Sequence, residues 1–469
     1  MTSAPTPSPD ADRSPRAERG LWGHADFLRL WAAQAVSAFG SRITRTALPI
    51  IAVTTLGESE AMIGVLGAMQ LVPGIALAMV AGGVVDRGHK RRILIAADAI
   101  RAALVASLTV AWALHALGIA HVILVGAGVG AATALFQITD VAYLPQLIGR
   151  RRLAEGNARL ETTEAIAEIT GPASAGLLIS ALGAPLAVAI DAASYVWSAL
   201  LLGRIRGDER PERPERRARP ERPAQLEPPA RDEAPAGELG SDEAPVRTGE
   251  DFRIGLRAVF GHPVVRPIIL TLMMWSVTGG FFVALYAPFC LRTIGLSEQM
   301  FGVIIAMGGV GSLAGAILAR GLMRRLGVGR TLMVTSALSL SCALFIPIAS
   351  TCSSRAAALG FLAAHQLLGD GFAVAFVVVA VTVRQTSLPR DVLGRANAAV
   401  HVATTGMLVI ASLVAGGLAS LIGIRAAVWT GMSIGLAAPL LLWPVRRVRD
   451  MSPGDLGASA AVPAADPHA

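Results

Sequence analysis

Apolar runs of about 18 residues or more recur along this chain, and they constrain its fold more tightly than any motif does. A run of that length offers water no polar face, so it belongs in a bilayer or deep inside a large core. Composition favours the bilayer. The 469 residues are 53% hydrophobic and only 16% charged, where a soluble domain carries about a quarter charged residues. Mean hydropathy is +0.57. Aromatics make up just 5%, so Ala, Leu, Val, Ile and Gly carry the apolar character. These figures exclude the usual water-soluble enzyme. They leave the formal net charge of +8 to be interpreted from where the charges fall.

Three stretches differ in kind. Residues 1–24 open with Pro, Ala, Ser and Arg and have no apolar h-region, so they do not read as a cleavable signal peptide. Residues 205–252 are dense in Pro, Glu and Arg and cannot bury enough surface to offset their ordering entropy, the mark of a disordered linker. Residues 448–469 form a similar tail. Two apolar blocks remain, 25–204 and 253–447. At about twenty residues per crossing, the first divides into spans near 31–56, 61–85, 93–115, 121–148, 160–182 and 184–204. The second divides near 265–291, 299–323, 330–350, 356–384, 396–421 and 424–446. The expected fold class is therefore an all-α integral membrane protein, with twelve transmembrane helices in two six-helix bundles.

Basic residues fall almost entirely on one side of these spans. Arg29, Lys90, Arg91, Arg92, Arg150, Arg151, Arg152, Arg324, Arg325, Arg390 and Arg447 are examples, whereas the opposite loops hold only Arg292, Arg355 and Arg425. By the positive-inside rule both termini and the linker are expected in the cytoplasm, and the chain in the cell membrane. Residues 205–250 hold nine Arg against twelve Asp and Glu. The excess positive charge thus lines the inner membrane edge and does not form a nucleic-acid-binding arm.

The blocks also repeat one another. Ile63-Gly64 through Gly83 aligns without gaps to Phe301-Gly302 through Gly321 at an offset of 238. Leu153, Asn157, Ala158, Gly176 and Gly183 match Leu393, Asn397, Ala398, Gly416 and Gly423 at an offset of 240. Repeats of equal topology imply a pseudo-twofold axis along the membrane normal with a pathway between the halves, as in alternating-access carriers.

After the second span the chain reads Gly83-Val84-Val85-Asp86-Arg87-Gly88-His89-Lys90-Arg91. This loop resembles the signature of the major facilitator superfamily, G-x-x-x-D-R-x-G-R-[KR], with looser spacing after Asp86. The resemblance implies that Gly83, Asp86, Arg87, Lys90 and Arg91 form a gating latch between the halves. Arg384-Gln385, Pro389, Gly394-Arg395 and Asn397 before span 11, together with Phe39-Gly40, Ala47-Leu48-Pro49, and Asp98 with Arg101, resemble the twelve-span drug:proton antiporter branch that includes macrolide and siderophore exporters. Gly171, Pro172 and Gly176 resemble a shortened antiporter motif, which implies efflux. Many relatives carry an acid where this chain has Ser41, so that carboxylate assignment does not transfer.

Each charge inside a span is costly in lipid and needs a reason. Arg42 and Arg45 lie one turn apart in span 1, and Glu161, Glu164 and Glu168 share a face of span 5. Asp140 lies in span 4 and Asp370 in span 10. A carboxyl in a low-dielectric cavity suits reversible proton uptake. The expectation is that Arg42 or Arg45 pairs with Glu164 or Glu168 while Asp140 or Asp370 exchanges a proton; a static salt bridge is the alternative. Asp98 with Arg101 reads as structural, as do His365, His401 and Asp191. Trp275, Phe281, Phe282 and Tyr286 line either a drug site or the lipid face. Cys290 and Cys352 lie near the same outer side, where a disulfide is geometrically possible, and free thiols are the default.

Enzyme motifs fail. The sole lysine, Lys90, follows His89, so there is no P-loop, and no His precedes a Glu. Gly431-Met432-Ser433-Ile434-Gly435 matches a nucleophile elbow inside an apolar helical run, where the glycines read as packing positions. The expected function is export of small amphipathic molecules such as drugs by proton antiport, without cofactor or metal, by a monomer in the lipid bilayer. The alternatives are a dedicated siderophore or metabolite exporter and a transport-inactive sensor or scaffold.

Overall fold

In a computed structural model, residues 21–78, 85, 88–149, 152–206 and 248–448 are described. Gly83, Asp86 and Arg87 of the expected latch lie outside them, as do most of the expected linker and tail.

The described chain is helical throughout. Helix α1 (Ala25–Ile50) is prolonged by a π turn at Ile51–Thr55 and followed by α2 (Glu60–Ala78), α3 (Lys90–Ala113), α4 (Ile119–Ile148), α5 (Leu153–Leu182) and α6 (Ala184–Gly203). Next come α7 (Thr248–Gly261) and α8 (Val265–Pro288), the latter with a π turn at Phe289–Thr293. Then follow α9 (Glu298–Leu326), α10 (Val328–Ala343), the short α11 (Phe345–Ala349) and α12 (Arg355–Ala364). A π turn at His365–Gly369 leads into α13 (Asp370–Ser387), α14 (Arg390–Ile422), α15 (Ile424–Gly435) and a 3-10 segment at Ala438–Val448. Observed ends lie within a few residues of the hydropathy boundaries, because caps and glycines punctuate the apolar runs. Ser297 Oγ accepts from the Met300 N–H at 3.3 Å and Ser354 Oγ from Ala357 at 3.2 Å. Gly183 and Gly423, matched in the repeat, adopt φ of +79° and +83° at the turns into α6 and α15, a conformation open chiefly to glycine. Helix α7 begins at Thr248, inside the segment read as linker.

Among the described residues, ten helical segments are long and apolar enough to cross a membrane, against the twelve expected. The long helices not among them are α1 and α5, which carry Arg42, Arg45, Glu161, Glu164 and Glu168. The outer surface is apolar, with Val141 and Leu421 exposed by 76% and 83%, which fits a lipid solvent and not water.

Helices α1–α6 pack among themselves, as do α7–α15, and the groups meet where α2 crosses α14 and α5 crosses α9. Both crossings are built on glycine. A side chain on Gly64 would come within 2.7 Å of the Ser412 carbonyl and 3.2 Å of Gly416 Cα, and one on Gly176 within 2.8 Å of Gly302 Cα. Gly64 corresponds to Gly302, and Gly416 to Gly176, so the crossings are images of one another under the repeat. Both lie toward the end holding Gly57, Gly183, Gly295 and Gly423, here termed the far end. The opposite, basic end holds Lys90 and the starts of α1 and α8.

At the basic end, outside the spanning segments, His262 Nδ1 accepts from the N–H groups of Val264 and Val265, both at 3.3 Å, and caps the start of α8. Burial pushes this imidazole below its ordinary value. The neutral ring is thus favoured when folded. Its contribution is complete above the ordinary histidine value of about 6.5 and is lost as pH falls through that value toward the lower, folded one. Caps of this kind contribute about 1 kcal/mol. His262→Asn, which keeps an acceptor that does not titrate, is expected to flatten the thermal-unfolding midpoint against pH between about 7 and 5.

Candidate functional site

Arg42 is the centre of the only ion-pair cluster among the described residues that joins two carboxylates to one buried cation. Its side chain is 5% exposed and pairs with both Glu164 and Glu168, whose side chains are 54% and 51% exposed. The cation is therefore held in the protein while its two partners are half exposed. Spacing explains the pairing: Glu164 and Glu168 stand one turn apart on α5, and α5 packs along α1. Arg45 is exposed and lies 4.0 Å from Glu168. Glu161 is exposed too, and among the described residues no ion pair reaches it.

Gly171 gives this pairing its room. A side chain there would come within 2.6 Å of Arg42 Cβ and Cγ, so the arginine stem lies in the notch that glycine leaves on α5. Five residues on, Gly176 forms the α5–α9 crossing. The glycines of the antiporter-like pattern thus seat the central cation and join the two halves. Pro172 lies within α5 without interrupting it.

The other acids sit apart. Asp140 on α4 is half-buried and accepts from Gln34 Nε2 of α1 at 2.6 Å. Asp370 begins α13 in the second group, with its carboxylate in the space a side chain on Gly308 would fill. Neither acid joins Arg42. Lys90 is buried at the start of α3, and Arg91 Nε donates to the Leu202 carbonyl of α6 at 2.9 Å. Arg91 of the expected latch is therefore tied to the end of α6 in the first group.

A second polar network is wholly buried. Asp98 pairs with Arg101 and accepts from Ser198 at 2.6 Å. The Arg101 guanidinium lies 4.5 Å from the ring centroids of both Phe136 and Tyr195. Asp191 accepts from Thr44 and from Ser194 at 3.0 Å, in space kept open by Gly40. With every partner inside the bundle, this network fits the structural reading.

Aromatics of α8 face protein. Phe281 is buried against Gly431, Trp275 lies 4.9 Å from Phe376, and Phe282 stacks on Tyr286 at 4.2 Å, beside Phe301 and His365. His365 Nδ1 lies 3.0 Å from the Cys342 carbonyl, while His401 is exposed. Gly431 and Gly435 are thus packing positions, with Ser433 exposed between them. The three cysteines are free.

Sequence reading missed Gln34 as the partner of Asp140, the Trp31 Nε1 bond to Thr163 Oγ1 at 3.0 Å, and the role of Arg292. Arg292 Nη1 donates to the Glu58 carbonyl at 2.7 Å and Nη2 to the Val53 carbonyl at 2.8 Å, crossing between the groups. Its rarity as a far-end arginine was the available signal.

A Major Facilitator Superfamily profile matches residues 30–400. The chain belongs to this superfamily. It is also similar to macrolide efflux protein A of Streptococcus pyogenes, 27% identical over 180 residues, which is 38% of this chain and 44% of that protein. The chain therefore matches less than half the length of that curated relative. Among solved structures, a bacterial homologue of the iron transporter ferroportin in its inward-facing state superposes with a TM-score of 0.67, at 16% identity over 92% of this chain and 100% of the other. Its outward-facing state scores 0.53, at 18% identity over 89% and 98%. The fold is thus that of a multi-pass membrane transporter.

Gly171→Val is expected to displace Arg42 from its carboxylates and to cut transport by about tenfold or more, while the purified protein stays monodisperse. Transport assays beside size-exclusion profiles check this.

Proposed function

We propose that this transporter exports small amphipathic molecules in exchange for protons, by rocking two six-helix halves about a midplane cavity. In this reading α1 and α5 also cross the bilayer, giving twelve spans in the cell membrane with the basic end and both termini in the cytoplasm. The carrying observation is the asymmetric burial of the Arg42 cluster: the cation is enclosed and its two carboxylates are half exposed, which suits an opening onto the transport pathway. A proton placed on Glu164 or Glu168 frees part of Arg42 for the other, so occupancy of the opening is tied to charge inside the bundle. Asp140 and Asp370 have neutral surroundings and no cation partner among the described residues, and stand as the further proton sites. Efflux as the direction is supported by the glycines of the antiporter-like pattern and by similarity to the macrolide efflux protein. The higher score against the inward-facing structure supports a cavity open to the cytoplasm. Residues 205–247 then link the halves on the cytoplasmic side, while Lys90 and Arg91, at the start of α3, stand at the end that engages the second half when the cavity closes.

Accumulation of a labelled macrolide and a panel of amphipathic amines, in cells with and without the protein, tests this reading. The expected result is lower accumulation with the protein and its reversal by a protonophore. Glu164→Gln, Glu168→Gln, Asp140→Asn and Asp370→Asn are made singly. At least one is expected to lose proton-dependent efflux by about tenfold. Retention of uncoupler-sensitive efflux by all four would overturn the coupling scheme.

A further inference from the structure

At the far end, four polar side chains join the two halves in a pattern the repeat explains. Arg292, at the end of the π turn after α8, lies 3.5 Å from Glu60 at the start of α2. Thr54, at the end of the π turn after α1, donates to Glu298 at the start of α9 over 3.2 Å. Under the offset of 238 that aligns Ile63 with Phe301, Thr54 corresponds to Arg292 and Glu60 to Glu298. The two contacts are therefore the same contact made twice, once with an arginine and once with a threonine.

We propose that these residues form a two-armed latch that holds the far end shut, with Arg292 as its dominant arm. One arm ties the end of α8 to the start of α2 and the other ties the end of α1 to the start of α9, so separating the halves at this end breaks both. The arms are unequal. Thr54 offers one hydroxyl and shares it with its own helix, through the Ile50 carbonyl at 2.9 Å. The Arg292 guanidinium reaches three acceptors, all in the other half: Glu60, the Glu58 carbonyl and the Val53 carbonyl. The last of these lies in the π turn that ends the first helix, where carbonyls lack helical partners and a cation is favoured. Directly below, the backbones touch at Gly64–Gly416 and Gly176–Gly302, so the polar arms seal a contact whose packing is already close. Arg292 is a positioning residue: it touches no cavity carboxylate and acts on which end of the pathway is open. The proposal rests on alternating access. Its readout is a distance in purified protein, independent of what is carried and of proton coupling.

Met62 and Met300 are repeat-related, exposed and placed on the two halves at this end, which suits spin labelling through Met62→Cys and Met300→Cys. The labels would be introduced with Cys290→Ala, Cys342→Ala and Cys352→Ser and measured by double electron–electron resonance in detergent and nanodiscs. A dominant short distance is expected in this background. Arg292→Ala should raise a longer-distance population severalfold, and the near-isosteric Thr54→Val should raise it less, in the same direction. Arg292→Lys, which keeps the cation but not the forked contact to three acceptors, should fall between the starting distribution and Arg292→Ala. An unchanged distribution in both Arg292→Ala and Thr54→Val would overturn the latch. So would a shift in Thr54→Val larger than that in Arg292→Ala, because Arg292 would then not be the dominant arm.

Discussion

Where α2 meets α14 and α5 meets α9, the two helix groups touch backbone to backbone, and the rest of the arrangement follows from that approach. In lipid, helices gain little from hiding apolar side chains, since the solvent is equally apolar; close packing and polar contacts supply the association. Glycines at 64, 176, 302 and 416 let four helices approach at two points, and a side chain at 64, 176 or 416 would push the groups apart. Because both points lie toward one end, closeness there is compatible with separation at the other. The half-exposed Glu164 and Glu168 stand on α5 on the basic-end side of the α5–α9 contact.

The charge cluster depends on the same economy of space. A guanidinium enclosed in a membrane protein is tolerated only with partners, and Arg42 has two carboxylates because α5 presents acids one turn apart and a glycine where the arginine stem must lie. Gly171 and Gly176 thus bind the chemistry of the cavity to the mechanics of the crossing, since both act through the position of α5. A displacement of this helix alters the Arg42 pairing and the α5–α9 contact together.

Much of the fold was legible in the chain. Apolar run lengths located the helices to within a few residues, because a bilayer imposes its thickness directly on sequence. The repeat was legible too, and the glycines it matched proved to be turn glycines at 183 and 423 and crossing glycines at 64, 176, 302 and 416. The pairing of span 1 arginines with span 5 glutamates followed from shared helical faces and the cost of isolated charge. Hydropathy weakened in the two helices where charge is concentrated: α1 and α5 fall outside the ten apolar segments for the same reason that they build the site. Asp140 and Asp370 were legible as intramembrane acids, but Gln34, a neutral side chain with no pattern, was not legible as a partner.

By itself the sequence determined the all-helical membrane class, the helix positions, the internal repeat and the set of charges that had to find partners. Each of these follows from local composition or periodicity read against a slab of fixed thickness. Only the tertiary structure decided that Arg42, and not Arg45, is the enclosed cation, that Gly171 makes its seat, and that Arg292 spans the halves to the end of α1. Those outcomes depend on distances between segments far apart in the chain, set by how closely helices can approach, and no single segment records them.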